Sequence, residues 1–183
     1  MNDKPKTKRA NYAFIDGQNL NMGIRAVGWR LDFRKFRAYL HSKYNVEKAY
    51  FFIGEVSDQE DLYANLKSMG YDLVFKPTVE VEDEPVKGNV DADLVLHAMM
   101  QYPHYGKAVI VSGDGDFHGL IEYLIKKDKL LALMVPNWRY SSLLKKFEDK
   151  IIRIDKLKKI LAWKIPPKRP EPSEGHESEA PEK

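Results

Sequence analysis

Short apolar runs alternate with stretches of helical periodicity from residue 11 to about residue 163, and this alternation predicts strands and helices in turn. Tyr12–Ile15 is the first run and ends in Asp16-Gly17-Gln18-Asn19. A short helical or irregular stretch over Leu20–Val27 is interrupted by Gly28. Leu31, Phe33, Phe36, Tyr39 and Leu40 then recur at helical spacing, with Asp32 placed to cap the helix and Arg34, Lys35 and Arg37 on the wet side. Glu47–Ile53 reads as a second strand. The helix over Asp58–Met69 that follows has Leu62, Leu66 and Met69 as its buried stripe and Gly70 as its stop. Tyr71–Phe75 is the third strand. Thr78–Asn89, with alternating acids, Pro85 and Gly88, is a loop or a weak edge hairpin. A helix over Asp91–Gln101 turns Leu94, Val95, Ala98 and Met99 inward. Ala108–Val111 is the fourth strand, Phe117–Lys127 its helix and Leu130–Val135 the fifth strand. Beyond the loop Pro136–Tyr140, Ser141 or Ser142 caps a short helix carrying Leu143, Leu144 and Phe147; Ile151–Ile154 adds a sixth strand and Asp155–Trp163 a last helix.

Strands alternating with helices imply right-handed crossovers and an α/β fold: a three-layer αβα arrangement around a mostly parallel open sheet of five to six strands. A parallel sheet puts every carboxyl end on one side, and ligands bind outside those ends where the strand order reverses. Asp16 and Asp114 meet there if the first and fourth strands are neighbours.

Composition adds the outer limits. The 183 residues suit one domain over 11–164, 43% hydrophobic residues suffice for a core, and the net charge is only +3. That charge is uneven. Lys4, Lys6, Lys8 and Arg9 crowd residues 1–10, a segment expected to be disordered, while a Pro/Glu-rich tail over 165–183 carries Glu171, Glu174, Glu177, Glu179 and Glu182. Without the tail the domain is basic, which leans toward a polyanionic partner. The absence of cysteine excludes disulfides, thiolate metal sites and a cysteine nucleophile. No run is long enough to span a bilayer and no secretory signal is present, so a cytoplasmic protein without a membrane partner is expected.

The candidate chemistry is carboxylate chemistry. Asp16 follows the first strand, Asp114 and Asp116 follow the fourth in Ser112-Gly113-Asp114-Gly115-Asp116, and Asp91 with Asp93 opens a helix after Lys87-Gly88-Asn89-Val90. Each Asp-Gly pair alone reads as a turn former. Asp16, Asp91, Asp114 and Asp116 together, at strand ends and a helix start, instead suit a hard divalent cation, which takes oxygen ligands. A calcium loop beginning at Asp114 fails, because its fifth position is His118 and its twelfth is Ile125. An aspartyl-phosphate mechanism wants a second acid two residues beyond Asp16, where the chain has Gln18. Asn19 reads either as a partner for a ligand carboxylate or phosphate or as a helix cap, Ser112 as a phosphate contact or a turn residue, and Lys87 as a phosphate contact or a solvated lysine. Trp138, Arg139 and Tyr140 lie on the carboxylate side and either stack on unpaired bases or pack on the domain's own surface; Trp29 and Arg30 form a second such pair. His97 reads as a packed histidine.

The segments Phe14-Ile15-Asp16-Gly17-Gln18-Asn19, Lys87-Gly88-Asn89-Val90-Asp91 and Val111-Ser112-Gly113-Asp114-Gly115-Asp116-Phe117 resemble, in order and spacing, the signature blocks of the NYN domain, in the PIN-like nuclease superfamily and nearest its LabA-like branch. Val135-Pro136, Ser142-Leu143 and Phe147 are similar to that branch's closing block, which extends the likeness over about residues 11 to 155. Asn89 is an insertion in the second block, and His97 stands where related chains often carry an acid. The resemblance implies a PIN-like fold and hydrolysis of RNA phosphodiesters with one or two Mg2+ or Mn2+ ions. Asp16, Asp91, Asp114 and Asp116 would be the metal-holding, catalytic cluster, and Asn19, Ser112, Lys87, Trp138 and Arg139 the substrate contacts. RNA, single-stranded or structured, is the expected partner, and homodimerisation is allowed. The alternative, from a different class of function, is a module that keeps the acidic pocket to bind RNA or a protein while cutting slowly or not at all; the intact acidic quartet favours the enzyme.

Overall fold

The computed structural model describes residues 9–54, 59–76, 79–81, 84–86 and 90–164. The expectations for most of the basic amino-terminal segment, for the acidic tail and for Lys87 therefore lie outside the described residues. The strands are β1 (Asn11–Asp16), β2 (Val46–Gly54), β3 (Asp72–Lys76), β4 (Val79–Val81), β5 (Glu84–Val86), β6 (Ala108–Val111), β7 (Leu130–Val135) and β8 (Ile151–Arg153). The helices are α1 (Gly17–Arg25), α2 (Phe33–Tyr44), α3 (Glu60–Ser68), α4 (Val90–Met100), α5 (His118–Lys126) and α6 (Lys158–Leu161).

Six strands form one sheet in the order β3-β2-β1-β6-β7-β8, with all its pairings parallel. β1 and β6 are neighbours, Tyr12 opposite Ala108 and Ile15 opposite Val111. The chain winds outward from β1 to β3 on one flank and from β6 to β8 on the other. The strand order thus reverses between β1 and β6, the place that α/β sheets use for ligands.

The side-chain alternation of these strands divides the core in two. Ala13, Ile15, Phe51, Val109, Val111 and Met134 face a layer containing Leu20 and Ile24 of α1, Phe36 and Leu40 of α2 and Leu66 of α3. Tyr12, Phe14, Tyr50, Phe52, Ile110 and Leu133 face Leu94 and Ala98 of α4 and Leu120, Ile121 and Leu124 of α5. Helices on both faces explain why β1 and β6 read as continuous apolar runs. Each fully buried large side chain contributes about 1.5–3 kcal/mol of transfer free energy. Phe14, stacked at 5.5 Å on Tyr50, is one of them.

Local signals hold where the chemistry is local. Asp32 accepts a hydrogen bond from the Lys35 amide at 3.1 Å and caps α2, and Ser141 accepts from Leu143 N at 3.4 Å. The polar stretch after β3 contains the two-stranded antiparallel β4–β5 hairpin, separate from the main sheet. Three expectations differ. Leu62 is exposed because α3 covers β3, an edge strand that needs only a narrow stripe, and Leu66 supplies it. Met99 is exposed because Leu94 and Ala98, four apart, already define the inward face of α4. The last helix is a 3-10 turn over Ile154–Leu157 and then the short α6, since Ala162 leaves the helix to form an antiparallel bridge with Leu31. The segment Ser142–Lys150 is likewise 3-10, broken at Phe147.

Candidate active site at the carboxyl edge of the sheet

β1 ends in Asp16, and the backbone turns at once into α1. The Asp16 side chain caps that helix, with Oδ1 accepting from Asn19 N at 3.0 Å, so the positive end of the helix dipole faces a carboxylate. Gly17 makes the sharp turn fit: a Cβ there would run into the Phe51 ring and stand 2.8 Å from the Phe52 carbonyl oxygen of β2. Asp16 is 6% exposed, an expensive place for a charge without partners.

The neighbouring strand supplies one. Ser112, the first residue after β6, donates from Oγ to Asp16 Oδ2 at 3.2 Å and accepts from Asp114 N at 3.1 Å. One buried hydroxyl thus links the β1 carboxylate to the loop that carries the next one. Asn19 adds a parallel link, its Oδ1 accepting from Gly113 N at 2.8 Å. Asp114 Oδ1 accepts from Asp116 N at 3.1 Å and caps a 3-10 turn over Gly115–Phe117, whose Phe117 is fully buried. Gly115 is pressed against Ser141, where a Cβ would collide with the hydroxyl, and Ser141 N donates to Gly113 O at 2.9 Å.

Of the expected site residues, Asp16, Asn19, Ser112 and Asp114 are joined in this network. Asp116 is exposed at its rim. Asp91 lies in the first turn of α4, but its side chain is outside the described residues, as is Lys87. Asn19 does not cap a helix with its side chain; its Oδ1 fastens Gly113. The donors are all oxygens, the kind a hard dication takes. Among the described residues, no group of three or more acids or histidines is assembled that would hold a metal ion by itself.

The β7–β8 loop borders the same edge. Asn137, which the sequence did not single out, is 6% exposed; its Nδ2 donates to Gly23 O of α1 at 2.6 Å and its Oδ1 accepts from Arg139 N at 2.7 Å. It holds up Trp138, 52% exposed, with the Arg139 guanidinium 5.5 Å and the Arg153 guanidinium 5.6 Å from its ring centroid. Arg153, the last residue of β8, is a second residue that the sequence reading missed. Asp155 binds it in a fork, Nε to Oδ1 at 3.0 Å and Nη2 to Oδ2 at 2.6 Å, and that hydrogen bonding raises its pKa further. The expected Trp29–Arg30 pair does not form: Trp29 is buried in the core, and Arg30 lies 5.2 Å over Trp163 instead.

His97 is a packed histidine. Its ring meets Tyr50 edge-on at 4.6 Å and Phe52 at 5.7 Å, and its buried Nε2 has no hydrogen-bond partner among the described residues. Burial lowers its pKa, with Asp72 opposing.

Comparison with known proteins gives three likenesses. The family model described as the NYN domain matches residues 12–155. The chain is 27% identical over 169 residues to the Low amplitude and bright protein LabA of Synechococcus elongatus, covering 87% of this chain and 89% of that protein. Its fold is similar, with a TM-score of 0.70 and 23% identity, to a crystal structure of a protein of unknown function from Vibrio parahaemolyticus, covering 87% of this chain and 99% of the other. Among the described residues, no helix is long and apolar enough to cross a membrane.

Proposed function

The chain belongs to the NYN domain family, a PIN-like nuclease family, and from that premise we propose that it is a divalent-metal-dependent ribonuclease cutting RNA endonucleolytically at the β1–β6 edge. One observation carries the reading: a buried carboxylate, Asp16, ends the central strand at the reversal of strand order and is tied through Ser112 to the loop bearing Asp114. A solubilising aspartate has no reason to be buried there.

Asp16 and Asp114 would hold Mg2+ or Mn2+, Asp91 would complete the ligand set or orient water, and Asp116 would act through water at the rim. When bound, such an ion neutralises charge building on phosphate oxygens and makes water a stronger acid. The protein's own part is positioning. Ser112 fixes the direction of Asp16 Oδ2, the α1 cap fixes Oδ1, and Asn19 holds the Gly113 backbone so that the Asp114 loop keeps its distance from β1.

The test is cleavage of a labelled single-stranded RNA by purified protein with Mn2+, Mg2+ or EDTA, beside Asp114→Asn. The asparagine keeps an acceptor for Asp116 N and removes only the charge. Metal-dependent cutting lost in the variant, with RNA still bound, is the expected result. Cutting that survives the substitution refutes the assignment. The second reading, a binding module that does not cut, draws on the use of Asp16 and Asp114 as caps within the fold, and RNA bound but uncut with every metal would favour it.

A further inference from the structure

We propose that Trp138, Arg139 and Arg153 form a platform that stacks an unpaired base of single-stranded nucleic acid beside the carboxylate edge. The inference rests on the nucleic-acid reading above and names the form of strand that the edge accepts. Three observations on different elements support it.

The first is exposure against composition. An indole is among the side chains most worth burying, yet Trp138 remains 52% exposed in a loop that Asn137 hydrogen-bonds to α1. The second is the company it keeps. Two guanidiniums, from the loop and from the end of β8, stand 5.5 and 5.6 Å from the centroid of one ring, each within cation–π range of the indole. Asp155 engages two of the five N–H donors of Arg153, fixing its plane and neutralising part of the positive charge at the ring. An anion with a flat apolar face complements what remains, and a nucleotide is such a ligand: its base has a π-face for Trp138 and its phosphate suits the arginines.

The third is position. The sheet is parallel throughout, so the residues after β7 and the last residue of β8 lie at the same edge as Asp16 and the Asp114 loop. Asp155 N donates to Pro136 O at 3.0 Å and Ser141 N to Gly113 O at 2.9 Å, which ties the platform's two ends to each other and to the carboxylate loop. A paired duplex hides its base faces, so the platform selects single strands.

The test is fluorescence anisotropy of a labelled single-stranded RNA and of the matching duplex, in EDTA so that cleavage plays no part. Trp138→Ala weakens single-strand binding by about fivefold or more, the loss expected for one stacked base, and leaves duplex binding unchanged. Trp138→Phe, which keeps an aromatic face, restores most of the affinity. Trp163→Ala, at the other exposed Trp–Arg pair, has no effect. Equal affinity of Trp138→Ala and the unsubstituted protein overturns the proposal and leaves the ring to a protein partner. An equal loss for single strand and duplex also overturns it, since the contact would then be with phosphates. A chain that binds through Trp138 but never cuts keeps this inference while losing the nuclease reading, and a chain that cuts with Trp138 irrelevant does the reverse.

Discussion

Replacing Ser112 with alanine removes the hydroxyl that bridges the Asp16 carboxylate to the loop carrying Asp114, leaving only the parallel Asn19–Gly113 side-chain link. Its Oγ donates to Asp16 Oδ2 at 3.2 Å and accepts from Asp114 N at 3.1 Å, and the residue is 1% exposed. A hydrogen bond to a charged group is worth about 1.5–3 kcal/mol, and leaving an amide without its partner costs about 1–3 kcal/mol. Asp114 is only half-buried, so water reaches its amide and the second figure counts at its low end. The two losses share one hydroxyl and do not add in full, which gives about 2–4 kcal/mol. For a chain of this size that lowers Tm by about 5 to 15 °C. The assay is urea unfolding followed by far-UV circular dichroism, with the m-value checked for constancy. In the same variant RNA cleavage falls by about 10- to 100-fold, the range typical for loss of a group that orients a metal ligand. A double-mutant cycle with Asp16→Asn should return a coupling of about 0.5–3 kcal/mol. A stability change under about 0.5 kcal/mol, typical of a surface site, would refute the claim that this hydroxyl holds the edge together.

Gly17→Ala should destabilise by about 1–3 kcal/mol through overpacking against Phe51 and the Phe52 carbonyl, read as a lower urea midpoint; an unchanged midpoint would contradict the close approach of α1 to β2. Asn137→Ala leaves Gly23 O and Arg139 N without their partner, so hydrogen exchange at the Arg139 amide should accelerate, and an unchanged rate would show that the loop is held some other way. For His97, burial depresses the folded pKa below the unfolded value near 6.5, so the unfolded state binds more protons in the window beneath that value. Stability should therefore be fully present above about pH 6.5 and decline as pH falls through the depressed pKa. His97→Phe, keeping the edge contacts with Tyr50 and Phe52, should flatten the fall in urea midpoint between about pH 7 and pH 5, and an identical slope would remove His97 from the account.

How much of this was legible in the chain depended on range. β1 and β6 were readable because strands covered by helices on both faces lose their alternation, and adjacency of Asp16 and Asp114 followed from the rule for parallel sheets. The Ser112–Asp16 bond was not readable, because it depends on the register between strands 96 residues apart. Arg153 was hidden for the same reason: it reaches Trp138 only because β7 and β8 pair in parallel, whereas Asp155, which orients it, is its near neighbour. Trp29 and Arg30 illustrate the converse error. Adjacent residues in an extended segment point opposite ways, so Trp29 entered the core and Arg30 found Trp163, brought close by the bridge between Leu31 and Ala162. Asn137 carried a weak signal, an asparagine directly after a strand and a proline, a place where a side chain often serves the backbone.

Whether the edge holds a metal is the claim on which the rest turns, and Mn2+ binding followed by the free-ion electron paramagnetic resonance signal measures it without reference to any substrate. The unsubstituted protein should take up Mn2+, and Asp16→Asn and Asp114→Asn, each retaining its cap to Asn19 or Asp116, should bind it at least about tenfold more weakly while still folded, as far-UV circular dichroism checks. Equal Mn2+ uptake by all three proteins, or none by any, would mean that these carboxylates serve the turns alone and that the edge is not a metal centre.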